Sequence, residues 1–145
     1  MNVKTLLVAK ALGGDIISIK PSADLAAAAK LLSAHRVGAL LIRGAGGRLA
    51  GILSERDIVR ALSEHGAAAL SLQVSEVMTR NVATCGEDDS LASIMEQMTA
   101  GKFRHMPVVS KGELVGLVSI GDVVKQRVDE IEHESEALRD YIRTA

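Results

Sequence analysis

Leu25, Ala28, Ala29 and Leu32 fall at the i, i+3, i+4, i+7 spacing that makes one face of a helix apolar, and Leu91, Ile94, Met95 and Met98 repeat the pattern further along. Ahead of the first of these lies a short apolar run, Ile16 to Ile19, closed by Pro21 and predicted to be a strand. Ser22 is the expected N-cap of the helix that follows, with Asp88 in the matching place of the second pattern. Leu40-Leu41-Ile42 and Leu49 to Leu53 then predict a hairpin across the turn Gly44-Ala-Gly-Gly-Arg48. Pro107-Val108-Val109 and Leu114 to Val118 predict a second hairpin across Ser110-Lys-Gly-Glu113. A helix is expected after Ser54 and another after Ser119.

These elements are one unit written twice. Laying Ile16–Ser63 on Val82–Val128 places Leu25 on Leu91, Ala34 on Ala100, Ile42 on Val108, Gly51 on Gly116, Ser54 on Ser119 and Asp57 on Asp122. The single length change falls in the Gly-rich hairpin turn, where a homologous repeat tolerates it. Each copy reads strand-helix-strand-strand-helix, so the expected fold is α/β (α+β), a tandem pair of β-α-β-β-α repeats. The division expected is residues 1–66 for the first repeat, 67–128 for the second and 129–145 for a C-terminal helical extension. Between the copies, His65 to Ala69 is expected as a loose connector and Val74 to Thr79 as a short helical turn.

Composition narrows the function classes. The chain has 145 residues, one Phe, one Tyr, no Trp and a net charge of −1. The core must therefore be small aliphatics in tight helix-on-sheet layers. Scattered charge and the lack of aromatic platforms argue against a nucleic-acid partner. A single cysteine, Cys85, cannot form an intramolecular disulfide. Residues 1–8 carry no signal-peptide pattern, and no run approaches 18 apolar residues, so no membrane association and a cytoplasmic location are expected. Cys85 is placed after the first strand of the second copy and read as a small buried thiol. His35, His65, His105 and His133 lack metal-ligand spacing, so no metal site is expected. Gly44-Ala-Gly-Gly47 is not followed by the Lys-Ser/Thr of a phosphate loop.

One constellation occurs in both copies: Gly51-Ile-Leu-Ser54-Glu-Arg-Asp57 and Gly116-Leu-Val-Ser119-Ile-Gly-Asp122. Ser three residues before an acid is a capping-box pattern that needs no ligand, and on pattern alone that is its commoner use. A strand-to-helix turn also gathers backbone N–H groups and a positive dipole end that suit a phosphate. An acceptor-only carboxylate beside it can take both hydroxyls of a ribose. Ser54 or Ser119 near the phosphate and Asp57 or Asp122 on the sugar would clamp a nucleoside phosphate.

With Val77-Met78-Thr79 before the second copy and Phe103-Arg104-His105-Met106-Pro107-Val108-Val109 inside it, the chain resembles a CBS-domain pair, or Bateman module, over residues 3–128. The resemblance implies pseudo-twofold symmetry and adenine ligands in clefts between the copies. The ligands are AMP, ADP or ATP, less often NAD or S-adenosylmethionine. It implies that Asp57 and Asp122 hold ribose hydroxyls, with Ser54 and Ser119 near the ribose or phosphate. Lys20 and Thr84 would border the adenine. Arg104 and His105 would meet phosphates, with Arg56 a further candidate and Met106 and Pro107 completing the site. Copy one has Gly38-Ala39 where copy two has Arg104-His105, so the two sites are expected to be unequal.

Downstream, Val124, Val128, Ile131, Ser135, Leu138 and Ile142 alternate at spacings of four and three, a heptad seam on one long helix expected from Asp122 to Arg143. Its expected partner is a second copy in a symmetric homodimer. The function expected is a regulatory, energy-sensing module that binds an adenine nucleotide, AMP first, without catalysis or a catalytic cofactor, and acts on a separate protein. The alternatives are a structural dimerisation module with vestigial clefts, or a small enzyme. The last is disfavoured because the chain has no room for a barrel of about 250 residues and no acid/base pair.

Overall fold

A computed structural model of the chain describes residues 2–11 and 16–144. They form two compact units, Asp15–Ala83 and the combination of Met1–Gly14 with Thr84–Ala145. The compact units are thus cut differently from the sequence repeats. Residues 67–83 fold with the first copy, and the N-terminal segment folds with the second.

In the first unit, β1 (Ser18–Ile19) runs parallel to β2 (Ala39–Arg43), which pairs antiparallel with β3 (Leu49–Ser54). β1 is shorter than the predicted 16–19 run. Ile17 still contributes through its carbonyl, which accepts from Leu41 N–H at 3.1 Å. Helix α2 (Leu25–His35) buries Leu25, Ala28 and Leu32, the face that the spacing predicts. Its cap is Asp24, not Ser22: Oδ1 of Asp24 accepts from Ala27 N–H at 2.8 Å. Pro21 starts a turn that closes from Ala23 N–H to the Lys20 carbonyl, so the helix cannot begin until that turn is complete. Helix α3 (Glu55–His65) leads directly into a 3-10 turn over Gly66–Ser71. That turn replaces the loose connector expected there, because Ala69 packs fully buried beneath it with Val74. The short helix α4 (Val74–Val77) stands where a helical turn is expected. The core is Leu25, Leu32, Leu40, Ile42, Leu53 and their neighbours. Each fully buried Leu or Ile contributes about 1.5–3 kcal/mol.

The second unit follows the same plan with α5 (Leu91–Gly101), β4 (His105–Ser110), β5 (Glu113–Ser119) and α6 (Ile120–Thr144). Again the cap lies two residues later than predicted. Ser90 Oγ accepts from Ser93 N–H, while Asp88 sits inside the turn closed by Gly86 and Asp89. A single parallel bridge, Cys85 to Val108, stands where the first copy has β1. Cys85 therefore lies in the strand position itself rather than after it. Its N–H donates to the Pro107 carbonyl at 3.0 Å and its carbonyl accepts from Val109 N–H at 2.8 Å. The N-terminal helix α1 (Val3–Ala11), for which the apolar pattern offered no prediction, completes this unit: Val3 and Leu6 are buried with Leu91, Ile94, Met98 and Val118. Asn2 bridges Ser90, and Val3 and Lys4 N–H donate to the carbonyls of Asp89 and Glu87. Among the described residues no helix is long and apolar enough to cross a membrane.

Candidate functional site

Both Ser-x-x-Asp segments end a buried strand and start a helix, and both close as capping boxes. At the first, Asp57 Oδ2 accepts from Ser54 N–H at 2.9 Å, and Ser54 Oγ accepts from Asp57 N–H at 3.3 Å. The Ser54 hydroxyl also donates to Asp57 Oδ2 at 3.2 Å. At the second, Ser119 N–H donates to Asp122 Oδ2 at 2.9 Å and Asp122 N–H to Ser119 Oγ at 3.1 Å. At both helix starts the shorter Asp closes the box where Glu is the commoner residue.

The same geometry takes up amides that the sequence assigned to a phosphate. Glu55 N–H donates to the Gly38 carbonyl at 3.0 Å, and Ile120 N–H donates to the Arg104 carbonyl at 2.8 Å. With the cap bonds, three of the amides from Ser54 to Asp57 and three from Ser119 to Asp122 already have acceptors. Fewer backbone donors are therefore left open at these turns than the turn type alone leads one to expect.

Asp57 is the buried charged residue of the chain's described part, 5% exposed. Burying a carboxylate requires a partner, and Arg60 supplies it: Nη2 lies 2.7 Å from Asp57 Oδ1. Sequence reasoning passed over Arg60. The signal that could have found it is the Asp-x-x-Arg spacing, which places the two on one face of α3. Asp122 is half-buried, and the residue three positions on is Lys125.

The remaining candidates divide by location. His105 pairs directly with Ser119 across β4 and β5, and Arg104 precedes it, exposed, with its carbonyl on the α6 amide. The structure thus brings Arg104, His105, Ser119 and Asp122 to one junction. In the first copy the equivalent partners are Gly38 and Ala39, Ala39 lying opposite Ser54. Met106 and Pro107 are buried in the sheet, Met106 fully, so the Met106 side chain packs in the core beside Val108 and Val118. Lys20 is exposed just after β1, Thr84 is exposed just before Cys85, and Arg56 is exposed in the first turn of α3. Cys85 is 5% exposed and its Sγ lies 3.7 Å from the Pro107 carbonyl oxygen. Burial first, then the nearby Asp89 charge, pushes the thiol from 9.0 up to about 12, so it is not a nucleophile at neutral pH.

The sequence model of the CBS domain matches residues 9–64 and 74–129. The structure is similar to that of a CBS-domain containing protein from Agrobacterium tumefaciens, with 44% identity, a TM-score of 0.83, and coverage of 87% of this chain and 92% of that one. It is also similar to the CBS domain pair of protein MJ0100 in complex with 5'-methylthioadenosine and S-adenosyl-L-methionine, at 27% identity and a TM-score of 0.77, covering 90% of this chain and 98% of that one. In sequence the chain is 36% identical over 120 residues to the mitochondrial CBS domain-containing protein CBSX3 of Arabidopsis thaliana. That match takes in 80% of this chain and 58% of the length of the Arabidopsis protein. The duplicated fold, its two strand-to-helix junctions and these matches agree, and the chain belongs to the CBS domain family as a tandem pair of CBS domains.

Proposed function

We propose that this chain is a regulatory module that binds an adenine nucleotide, AMP in preference to ADP and ATP, without chemical change, and passes the binding on to a separate cytoplasmic protein. The observation that carries the reading is the pair of rigidly held carboxylates, Asp57 and Asp122, each fixed by its own cap at a strand-to-helix junction. A carboxylate has about four lone-pair sites; at Asp57 the Ser54 amide and hydroxyl and Arg60 take three of them, so a ribose diol would use the fourth and displace the exposed Arg60. A rigid acceptor loses less entropy on binding than a mobile one. The adenosyl ligands held by the MJ0100 pair share that ribose and base, and NAD or S-adenosylmethionine are the lesser alternatives here. Arg104 at the second junction supplies a cationic side chain for a phosphate, with His105 beside it, Arg56 and Lys20 on the first unit and Thr84 ahead of the bridge at Cys85.

A second reading is favoured by the closed capping boxes themselves, which explain both Ser-Asp pairs with no ligand. On that reading the chain is a structural dimerisation module. Calorimetry with AMP, ADP, ATP, NAD and S-adenosylmethionine separates the two. The sensor reading expects saturable binding of AMP, and Asp57→Ala or Asp122→Ala weakening it by about 1–3 kcal/mol. It further expects 2'-deoxy-AMP to bind the wild type less well than AMP and to lose that disadvantage in the variant. No heat with any of the five ligands would leave the scaffold.

A further inference from the structure

Helix α6 carries a row of exposed apolar side chains that its own unit does not cover: Val124 at 43%, Val128 at 46%, Ile131 at 56%, Leu138 at 60% and Ile142 at 65% exposed, with Ser135 between them. Val123, on a different face, is fully buried in the unit's core, and Arg127 holds Glu130 at 2.7 Å. The helix therefore uses one face at home and leaves the seam facing outward. We infer that this seam pairs with the seam of a second copy of the chain, with the two α6 helices parallel and in register.

The flanking charges select the orientation. Taking Val128, Ser135 and Ile142 as a positions and Val124, Ile131 and Leu138 as d positions, the e positions are Lys125, Glu132 and Arg139, and the g positions are Arg127, Glu134 and Tyr141. In a parallel pair each g residue faces the e residue five positions on in the other helix. That sets Arg127 against Glu132 and Glu134 against Arg139, each twice by symmetry, all opposite in sign. Arg127 bonds Glu130 through Nη1 and retains its other donors for this contact. An antiparallel pair that covers all six seam positions sets Glu132 against Glu132, Glu134 against Glu134, and Lys125 against Arg139, all like in sign. Sliding it by one heptad removes the repulsion but uncovers either Leu138 and Ile142 or Val124 and Val128. Ser135 agrees with the parallel form, where its hydroxyl meets a second Ser135 hydroxyl; in the fully overlapped antiparallel form it would be buried against Ile131. A polar residue at one a position is a known device for fixing register.

The test uses the full chain without nucleotide, so its failure is separate from that of the sensor reading. Sedimentation should show a dimer whose dissociation constant rises more than about tenfold in Leu138→Glu, a change at an exposed site that leaves the helical signal intact. A dimer unaffected by Leu138→Glu, or a wild-type monomer at tens of micromolar, would overturn the inference. Ser135→Cys should link to itself in a mildly oxidising buffer, because only the parallel register brings the two sulfurs together. Cys85, buried and protonated, stays unreactive as an internal control. A Ser135→Cys dimer that forms but does not cross-link would also refute the orientation. Glu134→Arg should weaken the dimer by about tenfold and Glu134→Arg/Arg139→Glu should restore it; no restoration counts against the parallel pairing.

Discussion

The two junctions share a cap and a backbone bond to the facing segment, and differ in the side chains around them. At the first, Asp57 is buried, its Oδ1 is gripped by Arg60, and the strand opposite presents Gly38 and Ala39. At the second, Asp122 is half-buried, and the strand opposite presents Arg104 and His105. Duplication preserved what the backbone requires, a closed helix start, and let the side-chain charge diverge. The cap is thus the part of the motif that the fold needs, and the side chains on the facing segment are the part that differs between the copies.

The difference between the copies can be tested at the paired glycines. A methyl group at Gly51 would lie 2.6 Å from the Thr79 carbonyl oxygen, a backbone atom fixed by the bridge to Ile52. At Gly116 it would lie 2.5 Å from Leu7 Cδ2, the free end of a side chain. Gly51→Ala should therefore cost about 3 kcal/mol and Gly116→Ala about 1 kcal/mol in denaturant unfolding, overpacking against backbone being the harder to relieve. Equal losses would mean that Thr79 yields as readily as Leu7. Next in size, Asp57→Ala should cost about 2 kcal/mol, since it removes a cap and an ion pair at a buried position, against about 1 kcal/mol for Asp122→Ala at a half-buried one.

A smaller contrast lies in pH. Cys85 takes the strand position that Ile19 fills in the first copy, and only the thiol titrates. Its pKa is raised on folding, so its contribution is complete below pH 9 and is lost as pH climbs toward about 12. Unfolding midpoints should fall over that window in the wild type and fall less in Cys85→Ala. Smallest of all are two positions where the copies agree. Arg36 and Lys102 end α2 and α5 in the left-handed region, at φ 54° and 56°. Glycine there should stabilise by about 0.5–1 kcal/mol in each case. A loss at one of them would show that its side chain makes a contact worth more than the strain.

Periodicity made α2, α5 and the hairpins readable, because their faces are strictly apolar, and the heptad seam placed α6. Two kinds of feature escaped. The caps moved from Ser22 and Asp88 to Asp24 and Ser90 because a turn closes first, and a list of favoured cap residues does not count turn residues. Helix α1 went unpredicted because Val3, Leu6 and Leu7 stand in an apolar stretch whose partner surface lies some eighty residues away in the chain. At the site, spacing found the Ser-Asp pairs. It could not show that the Glu55 and Ile120 amides are taken up, since the Gly38 and Arg104 carbonyls that accept from them come from another segment.

That distant docking of α1 has a bearing on synthesis. Val3 and Leu6 leave the ribosome before the surface that buries them exists, and the whole of Asp15–Ala83 can fold in the interval. Helix α1 then docks on the later-made residues of its own unit. An N-terminal truncation or bulky fusion would strike the unit made last, while the one made first would assemble undisturbed.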